Sequence, residues 1–137
     1  ILMNIGTVRN GNQAPGNDGW MDKLLSLNFP NTNLNLNTEI MKKIREYSKN
    51  NNVITVVDLN RPTILEEVKD LSSGLIGSFG VFDEVLLNVI FGNYNPSGKL
   101  PFEIPSSMVE VNLQKEDLPD DTKNPTFRFG FGLSYEL

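Results

Sequence analysis

Apolar positions along this chain fall into short runs of two kinds, and their spacing predicts alternating strands and helices. ILMNIG, residues 1 to 6, is an apolar run closed by a glycine and reads as a buried strand. VITVVDL, residues 53 to 59, is β-branched and nearly continuous in apolar character, the pattern of a strand covered on both faces of a parallel sheet. LIGSF, residues 75 to 79, reads as a third strand, entered through Ser72-Ser73-Gly74. Between the first two strands, Ile40, Met41, Ile44 and Tyr47 recur at helical spacing, with Lys42, Lys43, Arg45 and Glu46 facing water. The spacing predicts a helix from a cap at Asn37 or Thr38 to about Lys49. Asn50, Asn51 and Asn52 would close it, because asparagine tolerates the left-handed conformation. Pro62 suits the first turn of a shorter helix over about Thr63 to Leu71, with Glu66, Glu67, Lys69 and Asp70 outward. The clearest helix runs from Phe82 to Phe91, where Phe82, Val85, Leu86, Val89 and Ile90 form one apolar face and Gly92 supplies the stop.

Strand–helix–strand–helix–strand order with short links implies right-handed crossovers. The expected fold is α/β: a mostly parallel sheet with helices on both faces, a three-layer sandwich, as one domain over residues 1–137. Two stretches stand outside this alternation. Residues 7 to 37, rich in Gly, Asn and Pro, form a connection longer than compact domains usually hold, and such connections tend to be functional. NPSGKLPFEIPSS, residues 95 to 107, opens as a turn and is then stiffened by Pro101 and Pro105 into an extended path that cannot be a fully bonded central strand. An acidic, poorly periodic loop follows (QKEDLPDDTKNP), and then FRFGFGLSYEL, whose alternating glycines and aromatics predict backbone passing very close to another element. Because a domain seldom begins inside a core strand, the opening ILMNIG suggests a portion of a longer protein. A sheet cut there would expose an edge able to pair with a second copy.

Composition narrows the chemistry. The chain has 137 residues and no apolar run long enough to cross a bilayer as a helix. Its net charge of −5 disfavours non-specific nucleic-acid binding. Without cysteine there is no disulfide or thiol chemistry, which fits a cytoplasmic setting and equally many secreted enzymes. Without histidine, Ser-His-Asp catalysis and imidazole ligation are excluded, leaving carboxylates, lysines and tyrosines for acid–base work. GSFGVF, residues 77 to 82, lacks the dinucleotide-binding glycine pattern, and Asp117, Asp120 and Asp121 fit no calcium-loop spacing, so no cofactor and no metal is expected.

NVIFGNYNPSGKLPFEIPSS followed by FRFGFGLSYEL resembles the end of the C-terminal domain of glycoside hydrolase family 3, the β-glucosidase group. Residues 90 to 105 are similar to that family's L-F-G-x-x-N-P-S-G-[KR]-L-P-x-x-x-P, and residues 129 to 135 to its F-G-[YFH]-G-L-S-Y. VITVVDLNRPTIL resembles its V-V-V-L-x-x-G-R-P-x-x-L, and DKLLSLNFP its D-R-x-x-L-x-L-P. The resemblance implies an α/β sandwich packed against an N-terminal barrel domain, absent from this sequence, that carries the aspartate nucleophile. It also implies retaining hydrolysis of terminal β-glucosides or oligosaccharides, for which two carboxyl groups stand about 5 Å apart across the scissile bond. This chain alone would then be inactive.

The family's general acid/base lies in the long loop after the first strand. Laying Asp18-Gly19-Trp20 on its Glu-Gly-x makes Asp18 the general acid and Trp20 a sugar-facing aromatic. A different alignment puts Asn12 or Gln13 there and removes the proton donor. Asp18 can equally cap a turn, and Trp20 can equally pack beneath the loop. Val81 and Phe82 stand where the family has a glycine-rich segment facing the interdomain cleft. The alternative reading is a non-catalytic carbohydrate-binding or oligomerisation module on the same fold.

Overall fold

Three parallel strands carry the core: β1 (Leu2–Gly6), β2 (Ile54–Asp58) and β3 (Gly74–Ser78), in the order β1-β2-β3. The computed structural model describes residues 1–6, 32–115, 117–118 and 120–135. Helix α1 (Thr38–Ser48) forms the first crossover and helix α2 (Glu66–Leu71) the second. Parallel register sets Ile5 beside Val57, and Met3 beside Thr55 and Leu75, so these side chains share one face. On that face Ile5 and Val57 join Ile44 of α1 and Val68 of α2 in one buried cluster, with Leu59, Leu65 and Ile104 completing it. Val56 alternates to the opposite face and is also fully buried, so the central strand is covered on both sides. Burying each such side chain is worth about 1.5–3 kcal/mol. Thr55, the fully buried polar residue of this strand, exchanges a 2.7 Å hydrogen bond with the Ser72 hydroxyl. Sheet and crossovers therefore follow the sequence pattern.

Helix boundaries depart from it in instructive ways. Asn37 caps α1 as expected, its Oδ1 accepting from the Glu39 N–H at 2.7 Å. The asparagines after it do not enter the left-handed region, since among the described residues only glycines have positive φ. Asn51 instead donates its side-chain amide to the Tyr47 carbonyl at 3.0 Å, capping the helix end directly. Helix α2 starts at Glu66, not Thr63, because the Thr63 hydroxyl and the Ile64 N–H both donate to the Leu34 carbonyl, at 2.7 and 3.0 Å. Pro62 consequently lies in an extended link and not in a helical turn. Helix α3 (Asp83–Ile90) ends where Gly92 adopts φ 76°, but of its expected apolar face only Leu86 is buried. Val85 is half exposed, and Phe82, just outside the helix, is 85% exposed.

Strand β4 (Ile104–Pro105) and strand β5 (Pro125–Phe127) form a separate antiparallel pair, interrupted by a register shift at Pro105. This is how the proline-stiffened path resolves: two residues of pairing at an edge, with the prolines facing each other. Helix α4 (Met108–Leu113) follows, the Ser107 hydroxyl accepting from the Glu110 N–H at 3.3 Å. Periodicity in so short a segment is too weak to announce it. The antiparallel pair is tied to the main sheet's helices by the Thr126 hydroxyl, which donates to Glu66 at 2.7 Å.

Candidate functional site

All three parallel strands end in one row, with Gly6, Asp58 and Ser78 in register. In open α/β sheets the carboxyl edge is where ligands are met, because the loops there are free to vary above a rigid floor. Asp58 accepts from the Asn60 side-chain amide at 3.0 Å, which orients its carboxylate at the head of the β2–α2 link. Next to it, Ser78 passes to Phe79 and Gly80, the latter at φ 83° with open space around it. Phe79 packs edge-on against Phe102 with ring centroids 6.1 Å apart, which leaves Val81 and Phe82 projecting into solvent.

The connection that leaves β1 after Gly6 comes back beside the same strand end. Arg61 Nη2 donates to the Asn33 carbonyl at 3.2 Å, and Thr63 and Ile64 hold the Leu34 carbonyl. Leu34 and Pro62 line a groove of about 380 Å³ whose other walls include Phe102, Glu103, Gln114 and Leu118. Glu103 is only 5% exposed, and its Oε1 accepts from the Thr122 N–H at 2.9 Å, from the Thr122 hydroxyl and from the Gln114 amide at 3.1 Å. This carboxylate is engaged in holding β4 to the segment before β5.

The two residues that sequence pointed to for catalysis and sugar contact, Asp18 and Trp20, lie outside the described residues, as do Asn12 and Gln13 of the alignment without a proton donor. The described edge adds Asp58, Arg61 and Thr63, which the sequence reading placed in the second strand, in the break after it and at the start of the next helix. A carboxylate ending a buried parallel strand was the available signal for Asp58. Among the described residues no group of three or more acidic side chains could hold a metal ion.

Residues 9–135 match the model of the glycosyl hydrolase family 3 C-terminal domain. The chain belongs to that family. It is 42% identical over 99 residues to Beta-glucosidase C of Emericella nidulans, covering 72% of this chain and 16% of that protein. Against the Periplasmic beta-glucosidase/beta-xylosidase of Dickeya chrysanthemi it is 41% identical over 101 residues, 74% of this chain and 15% of the relative. Probable beta-glucosidase C of Aspergillus flavus is 43% identical over 100 residues, again 72% and 15%. The chain thus spans about a sixth of the length of these relatives.

Within this family 3 domain, the two C-terminal motifs touch each other. The Leu100 N–H donates to the Phe131 carbonyl and the Gly130 N–H to the Leu100 carbonyl, both at 2.9 Å, and Lys99 Nζ reaches the Gly132 carbonyl at 2.6 Å. A Cβ on Gly132 would stand 2.2 Å from the Gly98 carbonyl oxygen. That is the close backbone passage which the alternating glycines predicted. Neither motif belongs to the row formed by Gly6, Asp58 and Ser78.

Proposed function

We propose that this chain is the part of a retaining β-glycosidase that closes the active-site cleft over a catalytic barrel domain, with terminal β-glucosides or related oligosaccharides as substrates. The observation that carries the reading is the row of strand ends at Gly6, Asp58 and Ser78, from which the connection bearing Asp18 departs. The names of the family 3 relatives, β-glucosidases and β-xylosidases, support the substrate class. In this reading Asp18 donates a proton to the glycosidic oxygen as the leaving group departs. It then takes one from the water that hydrolyses the glycosyl intermediate formed on the barrel's nucleophile. Trp20 stacks on a sugar ring beside it.

The test is a chimera in which this chain replaces the matching segment of Emericella nidulans Beta-glucosidase C. Hydrolysis of aryl β-glucosides is expected from the chimera and none from the chain alone. Asp18→Asn should lower kcat by about 10²–10⁴-fold for poor leaving groups and far less for activated ones. An inactive chimera, or turnover by the isolated chain, refutes the cleft role; an active chimera indifferent to Asp18→Asn refutes the acid assignment.

A second reading, association through the sheet, is favoured by the outer edge of β1, which among the described residues has no strand beside it and leaves Leu2 half exposed. Sedimentation of the chain separates the two: a monomer removes this reading.

A further inference from the structure

We propose that the groove between β4, α4 and the link at Pro62 is a binding site for a neutral pyranoside, held by Glu103, Gln114 and Lys115; the assignment does not depend on the chain closing a catalytic cleft. The groove's volume of about 380 Å³ lies at the lower end of small-molecule sites, which run from about 300 to 1,000 Å³. Pro62, Phe102 and Leu118 supply its apolar wall.

Its polar groups are fixed by the bonds they already make. Three donors converge on Glu103 Oε1: the Thr122 N–H at 2.9 Å, the Thr122 hydroxyl and the Gln114 amide at 3.1 Å. Oε2 accepts from none of the described residues, although the side chain is only 5% exposed. Nor is Oε2 sealed from the surface, and the opening it keeps is the groove that Glu103 lines. A carboxylate clamped by one oxygen thus presents the other as a preorganised acceptor. Gln114 Nε2 donates to Glu103 and, at 2.7 Å, to the Thr122 hydroxyl oxygen, which spends both amide hydrogens and leaves Oε1 as a second acceptor. Lys115 is exposed beside it, and its ammonium forms no ion pair among the described residues.

These groups set the chemistry of the occupant. An anion meets the charge of Glu103, a cation meets that of Lys115, and a wholly apolar molecule strands both. A hydroxyl donates and accepts in one group, so it serves the carboxylate, the amide oxygen and the ammonium alike. A pyranoside carries several hydroxyls around its rim and apolar C–H faces that lie against Phe102 and Pro62, which is the mixture this groove offers.

The test is a titration of the purified chain with methyl β-glucoside and with cellobiose, followed by amide NMR. Saturable shifts are expected at the Gln114 side-chain amide and the Thr122 N–H in the millimolar range. Lys115→Ala should weaken binding by about three- to tenfold, the loss of one hydrogen bond. Leu118→Ala should weaken it by a similar factor through the lost wall. Both side chains are exposed, so neither change endangers the fold. No saturable shift at Gln114 and Thr122 overturns the proposal, as do affinities unchanged in both variants. Glucuronate or glucosamine binding more tightly than the neutral sugars overturns it as well. Shifts confined to the amides of Asp58 and Ser78 overturn it while leaving the cleft role standing. Groove shifts in a chain whose chimera is inactive support it and count against the cleft role alone, since this readout does not depend on turnover.

Discussion

The side-chain amide of Asn95 grips both main-chain polar groups of Tyr135: its Oδ1 accepts from the Tyr135 N–H at 2.8 Å and its Nδ2 donates to the Tyr135 carbonyl at 3.5 Å. The Tyr135 hydroxyl in turn donates to the Val89 carbonyl in α3. An asparagine side chain here acts as a strand would, pairing with a residue forty positions away. It fastens the last described segment to the turn after α3.

Removing this grip should loosen the C-terminal segment and little else. Asn95→Ala is expected to cost about 1 kcal/mol, and Asn95→Asp, which keeps the acceptor for the Tyr135 N–H, about half of that. Limited proteolysis near residues 129–135 should accelerate in the order Ala, Asp, native. Equal rates for all three would show that the tail is held by the Lys99 and Leu100 contacts and the Tyr135 hydroxyl without help from Asn95.

The two glycines that face each other in the motif contact should respond oppositely to alanine. Gly98 has open space where its Cβ would go, whereas a Cβ on Gly132 meets the Gly98 carbonyl oxygen at 2.2 Å and the Lys99 chain at 3.0 Å. Backbone cannot yield as a side-chain tip can. Gly132→Ala should therefore lose about 1–3 kcal/mol, with Gly98→Ala near neutral in the same urea titration. Similar losses for both would place the cost in chain flexibility and not in the contact.

These motif glycines also show what a sequence makes legible. Apolar runs found the three parallel strands and helical spacing found α1 and α3, although α3 buries only Leu86 of the face that the spacing marks. The start of α2 was misplaced by three residues because its rightful first turn is spent on Leu34, a partner far away in the chain that no local pattern contains. Helix α4 and the β4–β5 pair were missed for a related reason: they are short, and Glu103, a single buried carboxylate, does the joining that a hydrophobic stripe does elsewhere. Of the candidate site, the strand-end row was implicit in the parallel order. Its anchor at Arg61 and Thr63 was not, since it is made of hydrogen bonds to carbonyls, which leave no trace in residue type.

Glu103 lends itself to a stability test of its own. Glu103→Leu leaves the Thr122 N–H and the Thr122 hydroxyl without their acceptor in a buried setting, while the Gln114 amide keeps its 2.7 Å bond to the Thr122 hydroxyl oxygen, and should cost about 2–3 kcal/mol. Thr122→Val retains the N–H bond and should cost about 1 kcal/mol. Urea unfolding measures both. Comparable losses would mean that the Thr122 hydroxyl, not the Glu103 carboxyl group, organises the junction.

The link between Glu66 and Thr126 makes a prediction about pH. Hydrogen bonding from Lys69, then from Thr126, holds the Glu66 carboxyl below its ordinary value near 4.5. Its folded pKa is lower than its unfolded one, so its contribution is complete above about 4.5 and is lost as pH falls through the folded value. Lys69 has the opposite sense: the Glu66 hydrogen bond raises it above 10.5, so its share is present below that and is lost as pH rises through the folded value. Arg45 likewise depresses Glu67 through a hydrogen bond, but that pair sits on an open surface where salt screens it. Melting temperature should therefore be level across neutral pH and decline below pH 4.5. Glu66→Gln should flatten that acid decline, and about 1 M salt should weaken the Glu67 part while leaving the Thr126 bond in place. An acid decline unchanged in both Glu66→Gln and Thr126→Val would mean that the antiparallel pair is not fastened to α2 through this carboxylate.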